Sequence, residues 1–120
     1  MKEIKICIAG LGNVGSSVVQ SLIDSKNFIN LKSNFNIEIV GISAKNKNKK
    51  RIFDISKYEW FNNPLDFLNT DCDIVIELIG EEKGLSYDLV KNSLKKGKHV
   101  ITANKAMLAK NGSELFKLAA

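Results

Sequence analysis

Apolar residues are spaced along this chain in two alternating rhythms, and each rhythm predicts an element. Ile4, Ile6, Cys7, Ile8 and Ala9 are apolar at odd and even positions alike, which marks a strand covered on both faces. From Val14 the period lengthens: Val14, Val18 and Leu22 fall four apart with Val19 and Ile23 beside them, giving the stripe of an amphipathic helix. The stretch from Ser25 to Asn36 is polar and asparagine-rich, with Phe28, Ile29, Leu31 and Phe35 scattered through it. It reads as a helix end and a long connection, a helical extension being the alternative. Ile37–Ser43 (IEIVGIS) is β-branched and reads as a second strand. Tyr58, Trp60 and Phe61 form an edge strand or extended segment, and Pro64 opens a short helix packing through Leu65, Phe67 and Leu68. Asp73–Ile79 (DIVIELI) is a further buried strand. A helix starting between Gly84 and Tyr87 follows, carrying Leu85, Leu89, Val90 and Leu94 and ended by Gly97. Lys98–Ala103 is the last strand, and a helix runs from about Gly112 to Ala120. Strands alternating with helices predict an α/β fold with a doubly wound, mostly parallel sheet, ordered 3-2-1-4-5.

Composition narrows this picture little, and charge changes it at one place. The 120 residues suit one domain with a real core, and 44% of them are hydrophobic. The net charge of +5 equals the five cations Lys45, Lys47, Lys49, Lys50 and Arg51, so the excess sits on one loop of a neutral domain. That loop has neither interleaved aromatics nor a nucleic-acid fold around it, so no nucleic-acid partner is expected. Cys7 and Cys72 make no disulfide framework and read as small buried groups of a reducing compartment. No apolar run reaches the roughly 20 residues that span a bilayer, and the first strand follows Met1 too closely for a leader. A soluble, cytoplasmic protein without a membrane partner is expected, and no metal site is suggested.

The candidate chemistry lies where the rhythm switches. Gly10, Gly12 and Gly15 form G-x-G-x-x-G, with Leu11, Asn13 and Val14 between them, placed after a buried strand and before a helix. Gly10 allows a tight turn, Gly12 lets a pyrophosphate approach the main chain, and Gly15 lets helix and strand lie close. The helix start offers free N–H groups to a phosphate. The plainer alternative is a glycine turn that binds nothing. In the predicted topology the same sheet edge collects Gly10–Val14, Ser43–Ala44–Lys45, Ile79–Gly80–Glu81 and Thr102–Ala103–Asn104–Lys105. That convergence points to a dinucleotide site. An Asp or Glu about 20 residues past the glycines commonly holds the adenosine ribose. Here the strand ends Ser43, Ala44, Lys45 and the next acid is Asp54, so NADP or dual use with NAD is expected, Ser43 and Lys45 contacting the 2′-phosphate. Glu77 is unexpected in a central strand: it reads as structural, near the strand end and facing polar groups, the alternative being a functional partner. His99, at a strand's beginning, is structural too. Lys105 could bond a nicotinamide or ribose oxygen or polarise a carbonyl; the alternative is a surface lysine near a helix start.

The combination of AGLGNVG, ELIG and GKHVITANKAMLA, with SAKNKNKKR and YEWFNNPLDFL between them, resembles the cofactor-binding domain of homoserine dehydrogenase over nearly the whole chain. The resemblance implies a Rossmann-type NAD(P)-binding domain over residues 1–120. It also implies an enzyme that reduces aspartate 4-semialdehyde to homoserine with NAD(P)H, in threonine and methionine biosynthesis. It places Gly12, Asn13 and Val14 along the pyrophosphate, Gly80 near the nicotinamide, and Lys105 at the reaction centre. The family's acid/base lysine and substrate-binding carboxylates belong to a second domain, which also builds a homodimer or larger assembly and has no counterpart in these 120 residues. Two departures stand out: Glu81 replaces a second glycine, and neither acid nor arginine ends the second strand. The domain alone is expected to bind coenzyme weakly and turn nothing over. The other readings are a related amino-acid or sugar dehydrogenase and a stand-alone nucleotide-sensing module.

Overall fold

The computed structural model describes residues 2–79 and 84–119, without the side chains of residues 27–31, 33, 105 and 106. The chain runs β1 (Lys2–Ala9), α1 (Asn13–Ser33), β2 (Phe35–Ser43), two short 3-10 helices (Ile55–Lys57 and Pro64–Asn69), β3 (Ile74–Glu77), α2 (Leu85–Lys95), β4 (His99–Thr102) and α3 (Lys105–Ala119). The four strands form one sheet, ordered β2-β1-β3-β4, and every pairing is parallel.

The unbroken apolar run of β1 has the two-sided cover it calls for. Ile6 and Ile8 pack with Val19 of α1 and with Ile42 and Ile76 of the adjoining strands. Cys7 and Ala9, on the opposite face, pack with Phe67, Val75 and Leu89 of α2. A third cluster, Val90, Met107 and Leu115, seals α2 against α3. Both cysteines are buried and unlinked. No described helix is long and apolar enough to cross a membrane.

Four expectations need correction. The predicted third strand is a single bridge: Trp60 lies parallel to Ile42, fixed by bonds from Ile42 N to Glu59 O and from Phe61 N to Ile42 O. The order 3-2-1-4-5 is thereby kept in space, with a four-stranded sheet and one bridging residue at its edge. The ladder goes no further because a 3-10 helix capped by Asp54 precedes the bridge and one capped by Asn63 follows it. Helix α1 does not stop near Ser25; it continues to Ser33 and ends where Asn34 takes a left-handed conformation (φ 59°). Helix α3 starts at Lys105, well before Gly112, because Asn104 caps it through a 3.0 Å bond from Met107 N to Asn104 Oδ1. Val14 is no part of the buried stripe. It is 64% exposed on the first turn of α1, while Val19 is fully buried and Val18 and Leu22 are half-buried against the core.

One junction mounts the outer segment on the sheet. The β1–β2 register slips between Ile6 and Cys7, and Gly41 comes opposite Cys7. A Cβ at position 41 would lie 2.8 Å from the Phe61 ring and 3.0 Å from Cys7 Sγ. Phe61 therefore rests directly on the strand, and its ring meets Phe67 edge to face at 5.1 Å.

Candidate functional site

At the carboxyl ends of the strands, the turn after β1 is shaped by what its glycines omit. Gly10 has φ +97°, and a Cβ there would stand 2.4 Å from the Leu78 carbonyl oxygen. A Cβ at Gly15 would stand 1.8 Å from the Gly10 carbonyl oxygen, so α1 can begin this close to the turn only without a side chain. Gly12 is different: a Cβ there would meet nothing within 4 Å. The bareness of Gly12 serves no protein contact and leaves an open cradle over the start of α1. Gly12 also occupies the cap position of α1 and supplies no side-chain acceptor. The helix start is thus uncapped by side chain, with its N–H dipoles facing that cradle. Bonds from Gly10 N to Ser43 O (2.8 Å) and from Leu78 N to Ala9 O (2.8 Å) tie the turn to the ends of β2 and β3.

These ends enclose a cavity of about 410 Å³. Gly10, Leu11, Gly12, Ser43, Ala44, Lys45 and Ile79 line it, seven expected site residues brought together from three separate stretches of chain. Asn13, Val14 and Gly15 belong to the first turn of α1 outside the lining. Thr102 and Asn104 stand at the end of β4, also outside it. Gly80, Glu81 and the side chain of Lys105 lie outside the described residues; the backbone of Lys105 opens α3 directly after Asn104.

The sequence reading missed the far wall, made by Asn46, Lys49, Arg51, Asn62 and Pro64. Arg51 organises it. Its Nη2 donates to Asn46 O (2.6 Å), its Nη1 to Lys49 O (3.1 Å) and Lys47 O (3.4 Å), and its Nε to Leu11 O (3.3 Å). The guanidinium also lies 5.7 Å from the centre of the Trp60 ring. One fork of donors thus curls the loop 46–51 on itself and pins it to the glycine turn. All of these partners are carbonyls or a ring, so none cancels the positive charge. Among the described residues, Lys45, Lys49 and Arg51 line the cavity and no carboxylate does. A local signal existed: an arginine ending a lysine- and asparagine-rich loop, just before a tryptophan segment, supplies the fork that such a loop lacks.

Glu77 holds the opposite wall. Fully buried at the end of β3, it accepts bonds from Ile79 N (2.8 Å) and Ser86 Oγ (2.9 Å) at Oε2, and from Thr102 Oγ1 at Oε1. The structural reading of Glu77 holds, with three donors supplied by β3's own end, α2 and β4.

Open backbone, a helix start without a side-chain cap and a cluster of cations fit a dinucleotide diphosphate and a further phosphate near Lys45 and Arg51. No group of three or more His, Cys, Asp or Glu among the described residues could hold a metal ion.

Comparison with known proteins agrees with this geometry. The sequence profile for the homoserine dehydrogenase NAD-binding domain matches residues 10–120. Homoserine dehydrogenase of Pseudomonas aeruginosa is 34% identical over 97% of this chain and 26% of its own length. The enzyme of Bacillus subtilis is 36% identical over 97% of this chain and 27% of its own. A crystal structure of Staphylococcus aureus homoserine dehydrogenase superposes with a TM-score of 0.90 at 38% identity, covering 99% of this chain and 30% of that one. The chain therefore spans about a quarter of the length of the curated relatives it matches.

Proposed function

The chain belongs to the homoserine dehydrogenase NAD-binding domain family, and from that premise we propose that it forms the coenzyme-holding part of an enzyme reducing aspartate 4-semialdehyde to homoserine. The observation that carries the reading is the cavity itself, in which the open Gly12 cradle and the cations Lys45, Lys49 and Arg51 meet at one strand edge. When bound, the nicotinamide coenzyme supplies hydride to the aldehyde carbon.

The chain's own residues bind and orient it. The Gly10–Gly12 turn and the start of α1 receive the diphosphate, and Ser43, Ala44 and Lys45 receive the adenosine ribose. Lys45 and Arg51 favour a 2′-phosphate, so NADP is preferred to NAD. Lys105, the first residue of α3, holds the nicotinamide and substrate oxygens at the reaction centre. The domain spans residues 1–120, and groups that grip the amino acid lie outside it, as does the interface of a homodimer or larger assembly. The complete enzyme works in the cytoplasm.

Calorimetric titration of this chain with NADPH and NADH tests the reading. Binding of NADPH tighter than NADH, with no turnover of homoserine, is the expected result. A chain that keeps its circular dichroism spectrum and binds neither coenzyme overturns it.

A further inference from the structure

The carboxyl of Glu77 joins places that an unaided reading of the cavity keeps apart. Its Oε2 accepts from Ile79 N, and Ile79 lines the cavity. The same oxygen accepts from Ser86 Oγ, one residue after Leu85, which also lines it. Its Oε1 accepts from Thr102 Oγ1, and that hydroxyl accepts in turn from Asn104 N at 3.1 Å. Asn104 then caps α3 through Met107 N, with Leu108 N bonded to Asn104 O at 3.2 Å. A second strut runs alongside, Ala103 N bonding to Glu77 O at 3.3 Å. The cavity wall at Ile79 and Leu85 and the start of α3 at Lys105 are therefore registered on one side chain.

Burying a carboxyl costs free energy that an apolar residue of similar size would avoid, and no ion pair of Glu77 exists among the described residues. Three donors satisfy the group without strengthening the core beyond what packing would give. What the arrangement adds is direction, because the end of β3, the start of α2 and the end of β4 can meet at one carboxyl in only one relative placement. On the proposed adenosine side of the rim Arg51 gathers the loop, and among the described residues none of its hydrogen-bond partners is shared with Glu77. The two ends of a bound dinucleotide are thus positioned by independent devices.

We infer that Glu77 is a positioning residue for the nicotinamide end of the coenzyme, setting the wall at Ile79 and the start of α3 in register. The inference rests on the coenzyme reading above. It requires Glu77 to matter for binding of the nicotinamide ring and hardly at all for binding of the rest of the coenzyme.

The test compares ligands that differ only by the ring: NADH against ADP-ribose, and NADPH against 2′-phospho-ADP-ribose, by calorimetry on this chain. In Glu77→Gln the affinity for the ring-bearing partner of each pair falls about tenfold while the ringless partner changes by less than about twofold. Thr102→Val keeps the side-chain shape and cuts only the link from Glu77 to Asn104. It gives the same ring-selective loss in smaller measure, and it decides the matter should Glu77→Gln fail to fold. Equal losses for both partners, or none in either variant, overturn the inference. Failure of the unsubstituted chain to bind any of the four ligands overturns the coenzyme reading instead, and is seen before any variant is made.

Discussion

Two polar residues hold opposite walls of the rim, and they work by opposite chemistry. Arg51 is a cation on an otherwise exposed loop that gathers backbone carbonyls. Glu77 is a buried carboxyl that gathers two hydroxyls and an amide. The loop wall is assembled by a side chain that keeps its charge available to a ligand. The inner wall is assembled by one whose capacity is consumed within the protein. A group of the first kind governs what binds, and a group of the second kind governs whether the scaffold and its geometry survive.

The sharpest way to break that contrast is to remove each residue in turn and follow stability beside affinity. Glu77→Ala leaves three donors buried without their acceptor and opens a void, so stability to urea drops by about 3 kcal/mol or more. A loss under about 1 kcal/mol would show that the inner wall does not depend on it. Arg51→Ala, on a solvated loop, costs about 1 kcal/mol or less of stability but weakens NADPH roughly tenfold, because the loop loses both its shape and a cation. Arg51→Lys restores the charge without the fork, and its affinity falls between the two; parity with the parent would mean that charge alone matters.

Salt sharpens the same comparison from the ligand's side. Raising ionic strength from about 0.1 M to 1 M cuts the screening length from roughly 10 Å to 3 Å. The preference for NADPH over NADH should shrink accordingly, and by less in Arg51→Ala, where Lys45 and Lys49 remain. The smallest effect comes from pH. The Lys5 ammonium beside Asp71 and the Lys26 ammonium beside Glu38 hold both carboxyls below their ordinary values. Carboxyls shifted downward contribute stability that is present above their ordinary values of 3.8 and 4.5 and is lost as pH falls through the depressed ones. Thermal unfolding should therefore be flat near neutrality and decline below about pH 4, and Asp71→Asn should flatten that decline slightly.

How much of this was legible in the sequence follows from which signals are local. The strands at Ile4–Ala9 and Ile37–Ser43 announce themselves because an apolar run needs no partner to be recognised, and G-x-G-x-x-G carries its reason in its spacing. The tail of α1 hides because Ser25–Ser33 has too few apolar positions to show a stripe; its real stop, Asn34, is a backbone conformation. The start of α3 hides because its signal is a single cap, Asn104, ahead of a helix whose core contacts, Met107 and Leu115, are sparse. Arg51 and Asn62 reach the cavity only because the bridge at Trp60 carries the segment alongside β2. No periodicity encodes one bridging residue. Glu77 is an anomaly within its strand, but two of its three donors lie 9 and 25 positions away, and only the topology brings them to it.

At position 41 there is no side chain, and the Phe61 ring occupies the space one would fill. The segment that carries Trp60, Asn62 and Pro64 is consequently seated on the sheet like a bracket bolted to a beam. The ring against which the Arg51 guanidinium lies is held by that mount. On the coenzyme reading proposed above, a change of preference is then a matter of exchanging heads on that mount, one residue at a time, with no rebuilding of the segment that carries them.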